Sequence, residues 1–158
     1  MFRPMQRKRQ QLTEAECFQL LREEKRGVLS VLGDEGYPYG IPHNHWYCEE
    51  DGRLYFHSGN TGHKIDAIRA NPKVSYCVFD SGHTEDGDWA LHFRSVIVFG
   101  RAEIVTDHQK ALAISRELSY QFTSDEDYIE KELRTSGPRV LVFSIQIEHI
   151  SGKRVLEK

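Results

Sequence analysis

The residues best suited to chemistry lie in one segment, YFHSGNTGHKIDAIRANP, from Tyr55 to Pro72. A β-rich run leads into a turn of small residues, Ser58-Gly59-Asn60-Thr61-Gly62. A helix-forming run follows, with His63 and Lys64 in its first turn. A helix start offers unpaired N–H groups and the positive end of the peptide dipole. With a lysine added, the arrangement makes a cradle for an anion, above all a phosphate. An ordinary strand-to-helix turn has the same composition. A lysine in a first helical turn opposes the dipole, however, and a neighbouring anion would explain it.

Histidine is the second source of chemistry. His43 and His45 stand two apart, so on a strand both rings share a face, and His57 adds an imidazole from the neighbouring strand. Three imidazoles would suit zinc or another borderline metal. Equally, one faces a pocket while the others pack. No Glu or Cys falls at a familiar metal spacing, and no metal is expected. His83, Asp86, Asp88 and His92 form another polar group whose composition fits a solvated loop. Nucleophilic catalysis is not signalled: no GxSxG elbow occurs, and Cys17 reads as core packing. No GxGxxG or GxxxxGK[ST] is present, which removes Rossmann and Walker loops.

The elements that must position these groups follow from pattern and punctuation. Thr13 and Glu16 form a capping box for a first helix, with Leu12 and Cys17 as its hydrophobic staple. Strands are expected at 28–32, 37–47, 53–57, 74–79, 90–105 and 139–150. Pro38 and Pro42 assign the second to an edge or a bulge. Asp51-Gly52 turns the hairpin into the third. The continuous apolar run of the fifth predicts burial on both faces. The polar 80–88 stretch reads as a mobile surface loop. Thr106 with Gln109 caps a later helix, Ser124 and Asp127 start another, Ser136-Gly137-Pro138 ends it, and Gly152-Lys153 closes the last strand. About four helices therefore hang off six strands joined by hairpins, an α+β or small-barrel plan in one domain, 1–158.

Composition narrows the function classes. The chain has 158 residues, 39% hydrophobic and 28% charged, with a formal charge of −3. No global basic field calls for nucleic acid, and the basic run from Arg3 to Arg9 reads as a solvated arm. No apolar run approaches the roughly 20 residues that span a membrane. Three cysteines without a CxxC pair, and no apolar leader after Met1, point to a reducing cytoplasm.

Several ordered segments carry a family resemblance. MFRPMQRKRQ, GDEGYPYGIPHNHWY, FHSGNTGHKIDAI, FRSVIVFGRAEIV and IEHISGK resemble the FMN-binding split-barrel proteins related to pyridoxamine 5′-phosphate oxidase. More closely, they look like the Nim-type nitroimidazole-resistance branch. The resemblance implies a mainly β fold with flanking helices, a six-stranded antiparallel Greek-key split barrel, and a homodimer with two FMN sites at its interface. It implies that His57, Ser58, His63 and Lys64 hold the flavin phosphate. The oxidase has Arg-Lys where this chain has His63-Lys64, so one charge there depends on pH. Pro42, His43 and Asn44, with His45 at the limit of the register, map to the backbone along the flavin ring, and Ser95 to a polar contact from the long strand. The basic substrate-phosphate residues of the oxidase have no counterpart near the C-terminus. The implied activity is an FMN-dependent reductase drawing on NAD(P)H and reducing a small electrophile such as a nitro-aromatic, with His57 as the side chain for proton delivery or substrate contact. Its rival is a flavin- or haem-binding dimer without turnover.

Overall fold

The computed structural model describes residues 1–156. Its helices are α1 (Glu14–Glu23), α2 (His63–Ala70), α3 (His108–Tyr120) and α4 (Glu126–Thr135). Its strands are β1 (Arg26–Leu32), β2 (Pro38–Asn44), β3 (Trp46–Cys48), β4 (Arg53–Ser58), β5 (Lys73–Phe79), β6 (His83–Thr84), β7 (Leu91–Ile104) and β8 (Leu141–Leu156). The fold is mainly β with flanking helices, but eight strands replace the six expected. The expected second strand divides at His45, and the 80–88 stretch folds back as β6, with His83 opposite His92.

Every strand pair is antiparallel, and the sheet runs β2-β1-β5-β7-β8-β4-β3, with β6 on the free edge of β7. The first and last strands of that path, β2 and β3, are joined through His45 alone, so the sheet curls round on itself. β1, β2–β3 and β4 form a meander, and α2 carries the chain back so that β5 lies beside β1, which is a Greek key. β2 pairs on one edge only, which accommodates Pro38 and Pro42.

The enclosed core includes Leu20, Leu29, Leu54, Phe56, Ile65, Tyr76, Val98, Phe143 and Ile145. α1 closes one side. Its capping box forms as expected: the Thr13 hydroxyl accepts from the Glu16 N–H at 3.2 Å, and Glu16 Oε2 accepts from the Thr13 N–H at 2.7 Å. β8 continues past Gly152, where a Cβ would come within 2.5 Å of Cys17 Sγ, so glycine lets α1 lie directly on the strand. The residue capping α3 is Asp107, whose side chain accepts from the Lys110 N–H, rather than Thr106.

The expectation for β7 is overturned. Val96, Val98, Gly100 and Ala102 are buried, while Ile97 and Phe99 between them are each 41% exposed. The chain covers one face of this strand. β8 does bury both faces over Leu141–Ile145, because α3 packs behind Val142.

Candidate functional site

β4 pairs with β3 only as far as Tyr55, opposite Trp46, while β2 pairs only with β1. The two parts of the barrel wall therefore separate beyond Tyr55. A cleft of about 320 Å³ opens there, lined by Arg26, Pro42, His43, Asn44 and His57. Four of the predicted site residues are thus brought together. Pro42 to Asn44 come from the free end of β2 and His57 from the end of β4.

The loop after β4 leads to α2, which begins with no side-chain cap, since Gly62 stands at the cap position with φ 120°. A positive φ of this kind suits glycine. The first N–H groups of the helix are left without a capping side chain.

His63 and Lys64, neighbours in that first turn, point to different places. The His63 ring stacks on Tyr39 at 4.2 Å, and its Nε2 accepts from the Asp34 N–H at 3.3 Å. Lys64 turns inward, with Nζ 2.9 Å from His43 Nε2 and about 6.0 Å above the Phe143 ring. No carboxylate pairs with Lys64 among the described residues. Burial lowers its pKa.

The contact with Lys64 determines the state of His43. An ammonium only donates, so Nε2 must accept and Nδ1 carries the hydrogen, which it donates to the Asn44 carbonyl at 3.1 Å. The ring meets Phe56 and Phe143 edge-on. Burial first, and the Lys64 charge second, push its pKa down to about 4. His57 is exposed at its surface, yet the surrounding protein and then Lys64 also lower its pKa. Both rings are therefore neutral at pH 7, and the cations beside them are Lys64 and Arg26.

His45 serves the fold. Its side chain is fully buried, with Nδ1 2.7 Å from the Tyr76 hydroxyl and Nε2 2.8 Å from the Leu21 carbonyl. The Tyr76 hydroxyl donates to the His43 carbonyl at 2.8 Å, so it accepts from His45 Nδ1–H. His45 Nε2 then carries a hydrogen only in the charged ring, and burial lowers the pKa. Its own N–H donates to the Lys25 carbonyl, and its carbonyl accepts from Gln121 Nε2 at 2.8 Å. With His45 committed at the corner and His43 turned to Lys64, the three imidazoles do not converge.

Ser95 stands apart. β1 and β5 separate its strand from Asn44, a distance of about 14 Å across the sheet. It is level with Phe79 and Lys153 on β5 and β8. Arg26 is the cleft residue that sequence reasoning missed. It opens β1 opposite Asn44, and Nε donates to Asn44 Oδ1 at 2.7 Å. Its only sequence signal was a basic residue at a strand start beside the Asn44 strand. A larger hollow of about 500 Å³ runs between Phe2, Leu32, Pro38, Val74 and Phe99 and contains none of the predicted residues.

Comparison with known proteins places this geometry. The family model for pyridoxamine 5′-phosphate oxidase matches residues 13–154. No curated protein sequence matches the chain. A protein of Bacteroides thetaiotaomicron provisionally named for 5-nitroimidazole antibiotic resistance superposes with a TM-score of 0.77 at 20% identity, over 93% of this chain and 87% of that one. A conserved hypothetical protein of Mycobacterium tuberculosis gives 0.79 at 18% identity, over 95% and 90%. Both share the fold. A protein of Mesorhizobium loti described as FAD-binding is 28% identical, with a TM-score of 0.64 over 92% and 96%.

Proposed function

This chain belongs to the pyridoxamine 5′-phosphate oxidase family, and from that premise we propose that it is an FMN-dependent oxidoreductase of the nitroimidazole-resistance type. The observation that carries the reading is the pairing of an uncapped α2 start and an acid-free Lys64 with the cleft at the parting of β2 and β4. These residues fit a flavin: a phosphate needs the first two, and a planar ring needs the third. The Mesorhizobium loti relative, described as FAD-binding, supports a flavin.

When bound, the flavin supplies the redox chemistry, accepting electrons from NAD(P)H and passing them to a small electrophile such as a nitro-aromatic. The protein's part is to bind, orient and manage protons. Lys64 and the open N–H groups of α2 would neutralise the phosphate and the Ser58 hydroxyl would donate to it, while His63, turned to Tyr39 and Asp34, would leave the charge to Lys64. The backbone of Pro42, His43 and Asn44 would hold the ring. His57, held neutral by the protein around its ring and then by Lys64, would accept or return a proton at its own ring nitrogen at the cleft edge.

A homodimer completes the site. Ile97 and Phe99 on β7 and Phe79 on β5 form an exposed apolar surface on the outside of the barrel. A second copy would cover it, and Ser95 joins the flavin site through that second copy. Purified protein mixed with FMN tests the whole reading. Expected are bound flavin absorbance, bleaching by NADH or NADPH without oxygen, and recovery on adding a nitroimidazole. Protein that ignores FMN refutes the cofactor. Flavin uptake without bleaching leaves a carrier and refutes the oxidoreductase.

A further inference from the structure

We infer that the cleft selects a reactant carrying a carboxylate, and that Arg26 is the residue that recognises it. The inference rests on the flavin reading above and names the substrate class of the same site.

Six arginines, Arg22, Arg53, Arg94, Arg101, Arg116 and Arg154, each meet a carboxylate, and of those with no ion pair among the described residues Arg26 is the one that lines the cleft. Arg26 meets an amide oxygen instead, through Nε, and makes no ion pair among the described residues. Its two terminal nitrogens therefore keep their donors for something else. Arg26 is exposed, and the Asn44 bond ties its guanidinium to β2 with the two terminal nitrogens beside the cleft.

The surroundings point to the same ligand. The five residues lining the cleft include no Asp or Glu. The charges near it are Arg26 and Lys64, and His43 and His57 stay neutral. If Lys64 and the α2 start neutralise the cofactor phosphate, Arg26 is the cation left over on the ring side. A rigid fork with parallel donors matches the two oxygens of a carboxylate, whereas a neutral amide offers one acceptor. Arg26 thus discriminates by charge and by shape.

The test uses FMN-loaded protein and two probes of equal size, benzoate and benzamide. Perturbation of the flavin spectrum reads their affinities. The wild type should prefer benzoate by about tenfold, the lower end of what a charge-assisted hydrogen bond contributes. Arg26→Gln should lose that preference, and Arg26→Lys should recover part of it by restoring charge without the fork. Equal affinities in the wild type, or an unchanged preference in Arg26→Gln, would overturn the assignment. So would an Arg26→Gln protein that binds FMN more weakly but riboflavin as before, since Arg26 would then serve the cofactor phosphate. A raised KM for NADPH in that variant, with the benzoate preference intact, would assign the guanidinium to the nucleotide and equally overturn it. A wild type that takes up neither FMN nor riboflavin fails earlier, at the flavin reading, and the inference falls with it.

Discussion

Acidification from pH 7 to pH 4 should destabilise the cofactor-free protein, and His43 should account for a large, separable share. Burial and then the Lys64 charge bring its pKa from 6.5 to about 4. The folded state holds this ring neutral, while the unfolded chain protonates it near pH 6.5. Between those values the unfolded state binds more protons, so stability is intact above about 6.5 and is lost progressively as pH falls toward 4. At about 1.4 kcal/mol for each power of ten in proton affinity, the span amounts to about 3 kcal/mol. Solvent at the cleft edge screens part of the Lys64 contribution and brings this nearer 2. Urea unfolding of the wild type and His43→Gln at pH 7, 6, 5 and 4 measures it. Glutamine keeps an acceptor for Lys64 and does not titrate, and His45 and His57, whose pKa values are also lowered, are common to both proteins. The wild type should lose 2–3 kcal/mol more than the variant, by the same linkage. Parallel stability profiles, or an NMR titration of the His43 ring with a midpoint near 6.5, would refute the reasoning.

Two further outcomes follow from the same geometry. Lys64→Ala should weaken FMN binding by roughly thirtyfold, the equivalent of about 2 kcal/mol for one charge-assisted contact, and leave riboflavin nearly unaffected. Fluorescence titration with both flavins reads the difference, and equal losses for the two would remove Lys64 from the phosphate. Phe99→Glu, on the exposed face of β7, should convert a dimer to a monomer in sedimentation and lower FMN retention. A wild type that sediments as a monomer while fully loaded would refute the shared site.

Legibility followed the range of the interactions. The Thr13–Glu16 capping box and the strand–loop–helix from Arg53 to Ala70 depend on neighbours in sequence, and both formed where residue types placed them. Thr106 and Asp107 are adjacent residues that can each cap a helix, and only the tertiary course of the chain selects Asp107. Ile97 and Phe99 carry no mark that says whether the chain's own atoms or another molecule covers them, hence the wrong expectation for β7. The gathering of Pro42, His43, Asn44 and His57 was readable from the family resemblance. The directions of His63 and Lys64 were not, because each is set by a distant partner, Tyr39 for one and His43 for the other. Arg26 belongs to no motif, and only the register of β1 against β2 brings it beside Asn44.

The corner at His45 has a consequence for how this sequence can change over time. Its four polar groups face Leu21, Lys25, Tyr76 and Gln121, which belong to three stretches of the chain: the end of α1 with the residues just after it, β5, and the end of α3. No other side chain offers two ring nitrogens at that spacing, so replacing His45 alone takes a donor from the Tyr76 hydroxyl, which keeps its bond to the His43 carbonyl, and removes the polar atom that faces the Leu21 carbonyl. Drift at this position therefore favours concerted change at Tyr76. Gln121 lies in the helical layer far from the cleft in sequence, yet it is linked through the same residue to Asn44 and His43 on the cleft wall. Among relatives, the corner residues should be inherited as a set, while the cleft residues beside them are free to diverge with the substrate.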